Sequence, residues 1–376
     1  MDYHKNLDLR NKSRTKEIIR EFPEFTNLFF DYCVVQKNYS SNTILNYAVD
    51  LRLFFRYLVS ANPNLKHINE ITLELLESLS ALDIQEYLSV IDTYDPTELS
   101  ENPTDYDKNK CSTASLRKLK KNGTAAKARK VSSLRSFYKY YYNMKMINSN
   151  PAAIVSVSQK NKERNQIIRL ERDEITNLLE GIDSGATLTD KQKVYAEKTR
   201  YRDLAIITLF LGTGIRVSEL VGINMWDLNW KNKSVIVRRK GGFDETVYFN
   251  DDVAGRLDDY ITLERPNLVD IEDEALFLSL KKQRITVRSV ERMVKKYTAA
   301  TVPGKKIAPH KLRSTYGTEL YRKTGDIYIV ADALGHKSLN VVQRYTDIGT
   351  ERRQKAGESV DWTNEVVNDI EIQKEE

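Results

Sequence analysis

From Ser40 onward the chain returns an apolar residue every three or four positions, at Ile44, Tyr47, Leu51, Phe54, Phe55 and Leu58. That period predicts a helix with one buried face, sustained for more than three turns. Ser40 or Ser41 can cap its start, and Tyr39 can staple it. Asn46, Arg52 and Arg56 fall on the opposite face. Residues 70–90 give another helical pattern, and the polar stretch 93–112, with its two prolines, reads as a long loop. Thr124 opens a further helix, TAAKARKVSSLRSFYKYYYNM, whose inward stripe is Val131, Leu134, Tyr138 and Tyr141. Ahead of all these, residues 1 to about 20 are polar and predict a loosely ordered arm or a short helix.

Pro151 ends the basic helical segment, and the polar stretch 156–165 reads as an interdomain linker. A second domain should start near Arg169, where Leu170-Glu171-Arg172-Asp173-Glu174 has the acid-rich first turn of a helix. The charged stretch 187–200 is an insertion to which the pattern assigns no element. Residues 203–211 read as a buried helix stopped by Gly212-Thr213-Gly214, with a new helix carrying Arg216, Glu219 and Leu220. The apolar run 204–215, bounded by Asp203 and Arg216, is too short to cross a membrane. SVIVRR (234–239) and ETVYF (245–249) alternate as strands, joined as a hairpin with Lys240 at its turn. Helices fill the rest. Leu312, Tyr316 and Leu320 mark one buried face, Gly335 stops a helix, and Ser338 can cap a short last one carrying Tyr345.

Composition then narrows the class. A chain of 376 residues predicts two domains, and 40% hydrophobic with 30% charged residues suits packed cores in water. The net charge of +6 names no partner, but its distribution does. Residues 108–162 contain fourteen Lys and Arg and no acid, whereas from Asp361 onward six acids face one lysine. Such a basic block points to nucleic acid. Lys127, Arg129, Lys130 and Arg135 give the Thr124 helix a wholly positive side. A charged face is most often merely solvated. Here, with no acids interspersed and tyrosines interleaved, DNA contact is the better reading, with Arg52 and Arg56 alongside. Cys33 and Cys111 stand in no metal-ligand spacing and read as reduced thiols of a cytoplasmic protein. MDYHKNLDLRNKSR has no apolar core, so it is not a signal peptide.

The chemistry-bearing residues cluster late. Two of the four histidines, His310 and His336, lie within 308–347, with Arg313 three positions after the first and Tyr345 nine after the second. A tyrosine, two histidines and an arginine together suggest phosphate chemistry with a phenol as nucleophile. Singly, each has a plainer role. Arg216 could pair with Glu219 on its own helix, Lys240 could be a polar turn residue, and His336 a helix stop. Tyr345 is one of 21 tyrosines, most of which pack.

In chain order, Arg216, Lys240, His310, Arg313, His336 and Tyr345 form a set that resembles the active site of tyrosine recombinases, the integrase family that includes the bacterial Xer proteins. The resemblance is carried by GTGIRVSEL (212–220), RRKGG (238–242), HKLRST (310–315) and LGHKSLNVVQRYT (334–346). Upstream, SSNTILNYAVDLRLFFRYL (40–58) and residues 124–153, ending NSNPAA, are similar to the family's core-binding domain. The chain departs from the pattern at Ser314, where histidine often follows the arginine, and in its long arm, its 93–112 loop and its 187–200 insertion.

The resemblance implies a mainly α protein: an all-helical SAM-like core-binding domain and a mainly α catalytic domain with a small antiparallel sheet. The expected division is an arm (1–25), the core-binding domain (26–158), a linker (159–168), the catalytic domain (169–357) and a tail helix (358–376) that docks on a neighbouring protomer. Arg216 and Arg313 would clamp the non-bridging oxygens of the transition state, Glu219 supporting Arg216. His310 would assist the Tyr345 phenol, His336 would hold a phosphate oxygen, and Lys240 would protonate the leaving 5′-oxygen. A 3′-phosphotyrosine intermediate keeps the bond energy, so no ATP, metal or other cofactor is required. The implied partners are double-stranded DNA with a specific recombination site and three further protomers, a homotetramer on two duplexes that passes through a Holliday junction. An accessory directionality protein is compatible with this. Integration or excision of a mobile element and resolution of chromosome dimers both fit. The rivals are a type IB topoisomerase-like enzyme and a non-catalytic DNA-binding protein on the same scaffold.

Overall fold

Tyr3–Ile19 opens the chain as a helix, α1, of 17 residues rather than a loose arm or short helix. Its buried residues are Asn11, Thr15 and Ile18, so the stripe is mostly polar and invisible to an apolar period. The polar groups are satisfied: Thr15 donates to the Asn11 carbonyl (2.8 Å), and Asn11 Nδ2 reaches Ser41 Oγ (3.5 Å). The computed structural model describes residues 3–95, 99, 119–157, 168–239, 241–268 and 274–335. The chain divides into two units, Met1–Glu163 and Arg164–Glu376.

In the first unit, α1 packs along α3 (Ser41–Ala61), with α2 (Thr26–Asp31) between them in sequence. Ser40 is the cap of α3, its hydroxyl accepting from the Thr43 amide at 3.3 Å. The 70–90 pattern is two helices, α4 (Leu73–Ser78) and α5 (Ala81–Val90), restarted by the Ser80–Asp83 capping box. The long loop begins with a strand, β1 (Thr93–Tyr94), paired antiparallel with β2 (Lys120–Lys121), so among the described residues the regular structure of the unit is helical apart from this ladder. Most of 93–112 lies outside the described residues, as does Cys111. α6 (Thr124–Asn143) buries Val131, Leu134, Phe137, Tyr138 and Tyr141. An aromatic core forms around it, with Phe29 and Phe137 centroids 5.2 Å apart and Phe22 and Phe55 5.1 Å apart. Buried phenols need acceptors, and Tyr138 and Tyr141 donate to the Leu76 and Phe25 carbonyls (3.2 and 2.9 Å). Cys33 is buried here and its thiol is pushed up to about 12, which leaves it inert.

The second unit is built on α9 (Arg200–Thr213), which is buried on every side from Arg202 to Phe210 and therefore central. Around it pack α7 (Arg172–Ser184), α11 (Asp251–Asp259) and α13 (Pro309–Thr324), while α12 (Val287–Thr301) lies on α7. The unassigned insertion is a helix, α8 (Asp190–Glu197), begun by a Thr189–Gln192 capping box. α10 (Val217–Gly222) leads to a three-stranded antiparallel sheet of β3 (Leu228–Asn229), β4 (Ser234–Arg238) and β5 (Asp244–Tyr248), in that order. Val235 pairs with Val247 on the covered face, and the alternation read from the sequence is this register. α11 continues as a π-helical turn, Tyr260–Glu264, and α14 (Ile327–Ala333) packs on α13 through Tyr316, Leu320, Val330 and Leu334. The architecture is mainly α with small antiparallel sheets, as the sequence implies. No helix among the described residues is long and apolar enough to cross a membrane.

Candidate active site

The site grows from the stop of α9. Gly214 ends that helix with φ +62°, and a Cβ there would sit 2.4 Å from Tyr316 Cδ1 and 2.9 Å from Leu334 Cδ2. Only glycine satisfies both the left-handed backbone and that close approach. Two residues on, Arg216 caps α10. Its amide donates to Glu219 Oε2 (2.8 Å) and its guanidinium to Glu219 Oε1 (2.7 Å). Arg216 keeps 30% of its side chain exposed while Glu219 keeps 2%. The plain pairing and the supporting role proposed for Glu219 are therefore one arrangement: a buried carboxylate aims a half-exposed guanidinium.

Arg313, on α13, is buried and reaches two chain ends. Nη1 donates to the Gly214 carbonyl at 2.6 Å, and Nη2 donates to the Leu334 carbonyl. The first acceptor lies two residues before Arg216 and the second two before His336. His310 occupies the first turn of α13 and is exposed. Partial desolvation and the charge of Lys311 hold it below the ordinary imidazole value despite Glu291, so it is neutral at neutral pH. A neutral imidazole can take a proton from a phenol.

Arg239, the residue before Lys240 in RRKGG, has no role assigned by the sequence pattern. It is among the most buried charges, with 1% of its side chain exposed. Nη1 donates to Glu219 Oε2 (3.0 Å), and Nη2 donates to Glu245 Oε1 (2.7 Å) and to the Ala333 carbonyl (3.1 Å). Gly335, at φ +56°, lies over it: a Cβ there would approach Arg239 Nε to 3.0 Å. The sequence signal available was only an arginine doublet at a strand end. Lys240, His336, Tyr345 and the tail 358–376 lie outside the described residues.

The basic residues assigned to DNA contact need a correction. α6 carries no acids, but acids on other elements pair with Lys127, Arg129 and Lys130, and Arg52 and Arg56 on α3 are paired as well. Arg52 and Arg56 both reach Glu21 at 3.3 Å. Lys127 pairs with Asp92 (2.6 Å), and Arg129 and Lys130 both pair with buried Asp50 (2.5 and 3.4 Å). Arg135 donates to the Ala152 carbonyl (3.0 Å) and to that of Val155. Lys130 is itself buried, and desolvation lowers its affinity for the proton. Arg129, 45% exposed, keeps the most open side chain among Arg52, Arg56, Lys127, Arg129 and Lys130. Among the described residues no group of three or more His, Cys, Asp or Glu is placed to hold a metal ion.

Arg313 reaches the turn that leads into Arg216, and His310 stands one turn before Arg313 on α13, so guanidiniums that suit an anion and an imidazole that suits a proton come from adjoining parts of the chain. Residues 169–352 match the sequence pattern of the phage integrase family, and residues 26–94 match that of the phage integrase N-terminal SAM-like domain. The chain is 34% identical over 347 residues to a tyrosine recombinase XerC of Caldanaerobacter subterraneus subsp. tengcongensis, covering 89% of this chain and 86% of that protein. Among solved structures, the post-cleavage complex of XerH site-specific recombinase with palindromic difH substrate superposes with a TM-score of 0.59 at 21% identity, over 85% of this chain and 80% of that one. A Tn1549 transposon integrase in complex with circular intermediate DNA gives 0.56 at 18% identity, over 88% and 98%. These two likenesses are of fold.

Proposed function

The chain belongs to the phage integrase family and is a tyrosine-type site-specific DNA recombinase, and from that premise we propose that it cuts and rejoins DNA through a 3′-phosphotyrosine on Tyr345. The observation that carries the mechanism is the reach of Arg313 to the carbonyls of Gly214 and Leu334, which ties its own helix to the turns entering Arg216 and His336. Arg216 and Arg313 hold the non-bridging oxygens, where negative charge gathers in the transition state. His310 takes the phenolic proton and His336 holds a phosphate oxygen. As the Tyr345 oxygen bonds to phosphorus, the bond to the 5′-oxygen breaks and Lys240 supplies its proton.

Its substrate is a recombination site in double-stranded DNA, gripped by the unit holding residues 26–158 and cut by the unit holding 169–357. A tetramer on two duplexes exchanges strands through a Holliday junction in the cytoplasm. In the first unit Arg129 and Arg135, the two exposed members of the basic set, are the best placed to meet phosphate, while buried Lys130 acts through the fold. Both biological roles, mobile-element movement and chromosome-dimer resolution, stay within this reading.

The test is a nicked suicide duplex, made once from DNA flanking the protein's own gene and once from the host's chromosome-dimer site, without metal or ATP. A covalent protein–DNA band on a denaturing gel, absent with Tyr345→Phe, is expected. The duplex that gives it separates mobile-element integrase from chromosome resolvase. Binding of both duplexes without a band would leave a non-catalytic DNA-binding protein instead.

A further inference from the structure

We propose that Arg239 is a positioning residue that fixes the chain entering Lys240 against Glu219 and against the chain entering His336. The inference rests on the reading of Lys240 as the group that protonates the leaving 5′-oxygen. Arg239 itself touches no reacting atom. Its effect comes from where it stands.

Three observations converge on it. Its backbone closes the hairpin turn: its amide donates to the Phe243 carbonyl (2.9 Å) and its carbonyl accepts from the Gly242 amide (3.0 Å). Its guanidinium is pinned from three directions, by Glu219 on α10, Glu245 on β5 and the Ala333 carbonyl at the end of α14. Gly335 closes over the guanidinium so tightly that any side chain there would press on Nε. Glu219 also holds Arg216. One guanidinium thus joins the hairpin to α10 and to the α14 end, and these lead directly to Lys240, Arg216 and His336.

Burial makes this more than a surface ion pair. With 1% of the Arg239 side chain and 2% of that of Glu219 exposed, solvent does not screen the contact. Burial works against the charge on Arg239, but Glu245 and Glu219 more than offset it, and its affinity for the proton is raised. An arginine is suited to this because its planar fork presents five donors in a fixed geometry, whereas a lysine offers a compact charge with three rotatable donors. The Nε atom has no hydrogen-bond partner among the described residues, so the side chain is held by geometry at the cost of one unmet donor.

A general acid displaced from its proton acceptor loses its effect on the step it assists. A substrate whose 5′-bridging oxygen is replaced by sulfur needs no such acid, because a thiolate leaves unaided. The experiment uses the full-length protein and the nicked duplex that gives the covalent band, with either oxygen or sulfur at the scissile 5′ position. Single-turnover rates are read at saturating protein, with duplex affinity and thermal unfolding measured alongside, for Arg239→Met, Arg239→Lys and Lys240→Ala. With oxygen, Arg239→Met should slow cleavage by about 10²-fold at little-changed affinity, and Arg239→Lys should recover part of that. With sulfur, Arg239→Met and Lys240→Ala should both come within about threefold of the unaltered protein, the acid's share of the rate then being removed. If Lys240→Ala is rescued by sulfur and Arg239→Met is not, Arg239 does not position the acid and the proposal fails. An Arg239→Met rate equal to the unaltered one overturns it too. If Lys240→Ala itself gains nothing from sulfur, the reading of Lys240 fails, and the inference goes with it. Should Arg239→Met not fold, Glu245→Gln, which removes the half-buried partner on β5, carries the test: a smaller defect with the same rescue supports the proposal, and a defect indifferent to sulfur sinks it.

Discussion

Glu219 Oε2 accepts from both the Arg216 amide and the Arg239 guanidinium, while Oε1 takes the Arg216 guanidinium, so one buried carboxylate orients two cations. His310 has the opposite setting: it stands exposed on the first turn of α13, its basicity lowered by partial desolvation and by Lys311. A base of this kind must be neutral to act. The rate of covalent complex formation should therefore stay level as pH falls to about 6.5 and decline only below it, because the proton binds His310 less readily than an ordinary imidazole. Measuring single-turnover cleavage from pH 5 to 8, with His310→Gln for comparison, checks this. A decline that begins well above pH 6.5, or one that persists in His310→Gln, rules His310 out as its source. The placement of Arg216 at a helix start after a glycine turn, and of His310 and Arg313 one turn apart on α13, was legible in the sequence from spacing alone. Arg239 was not, since its partners lie as far as 94 positions away and an arginine at a strand end looks like a solvated charge.

Elements whose buried face is apolar were readable, and those whose buried face is polar were not. The α3 and α6 stripes and the β4–β5 alternation emerged directly from periodicity, whereas α1 hides Asn11 and Thr15 in its contact with α3. The same blindness misjudged α6, whose cations find their acids on α3 and after α5. The start of α9 is held in a similar way. Glu264, at the end of the π-helical turn, accepts from the amides of Tyr201 and Arg202, on the first turn of α9. Burial outweighs Arg202 and these amides and pushes its carboxyl up to about 7, from 4.5. Raised in the folded state, this group favours folding fully below pH 4.5, and that contribution is lost as pH rises through about 7. The loss should reach about 3 kcal/mol, read from urea unfolding at pH 5 and pH 8. Glu264→Gln should flatten the difference, its amide oxygen accepting the same bonds without titrating. Equal slopes for the two proteins would count against it.

Taken whole, the protein is two separately packed units, the second of which carries the turns of the candidate site. The tail 358–376, with Val360, Trp362, Val366 and Val367, is expected to dock on a neighbouring protomer. Deleting the residues after Gly357 should leave duplex binding intact and lower synapsis of paired sites, which native gels and a recombination assay read separately. Unchanged recombination by the shortened protein would remove that role. The frame beneath the candidate-site turns has a further property. Arg313 and Arg239 grip it largely through the carbonyls of Gly214, Ala333 and Leu334, acceptors that belong to the main chain. Side-chain replacement cannot delete a carbonyl. Over long divergence the α9 and α14 termini can therefore change much of their surface without loosening this frame, whereas a one-residue insertion or deletion there would misalign it at once. Gly214 and Gly335 aside, the tolerance of these termini should depend on chain length more than on chain identity.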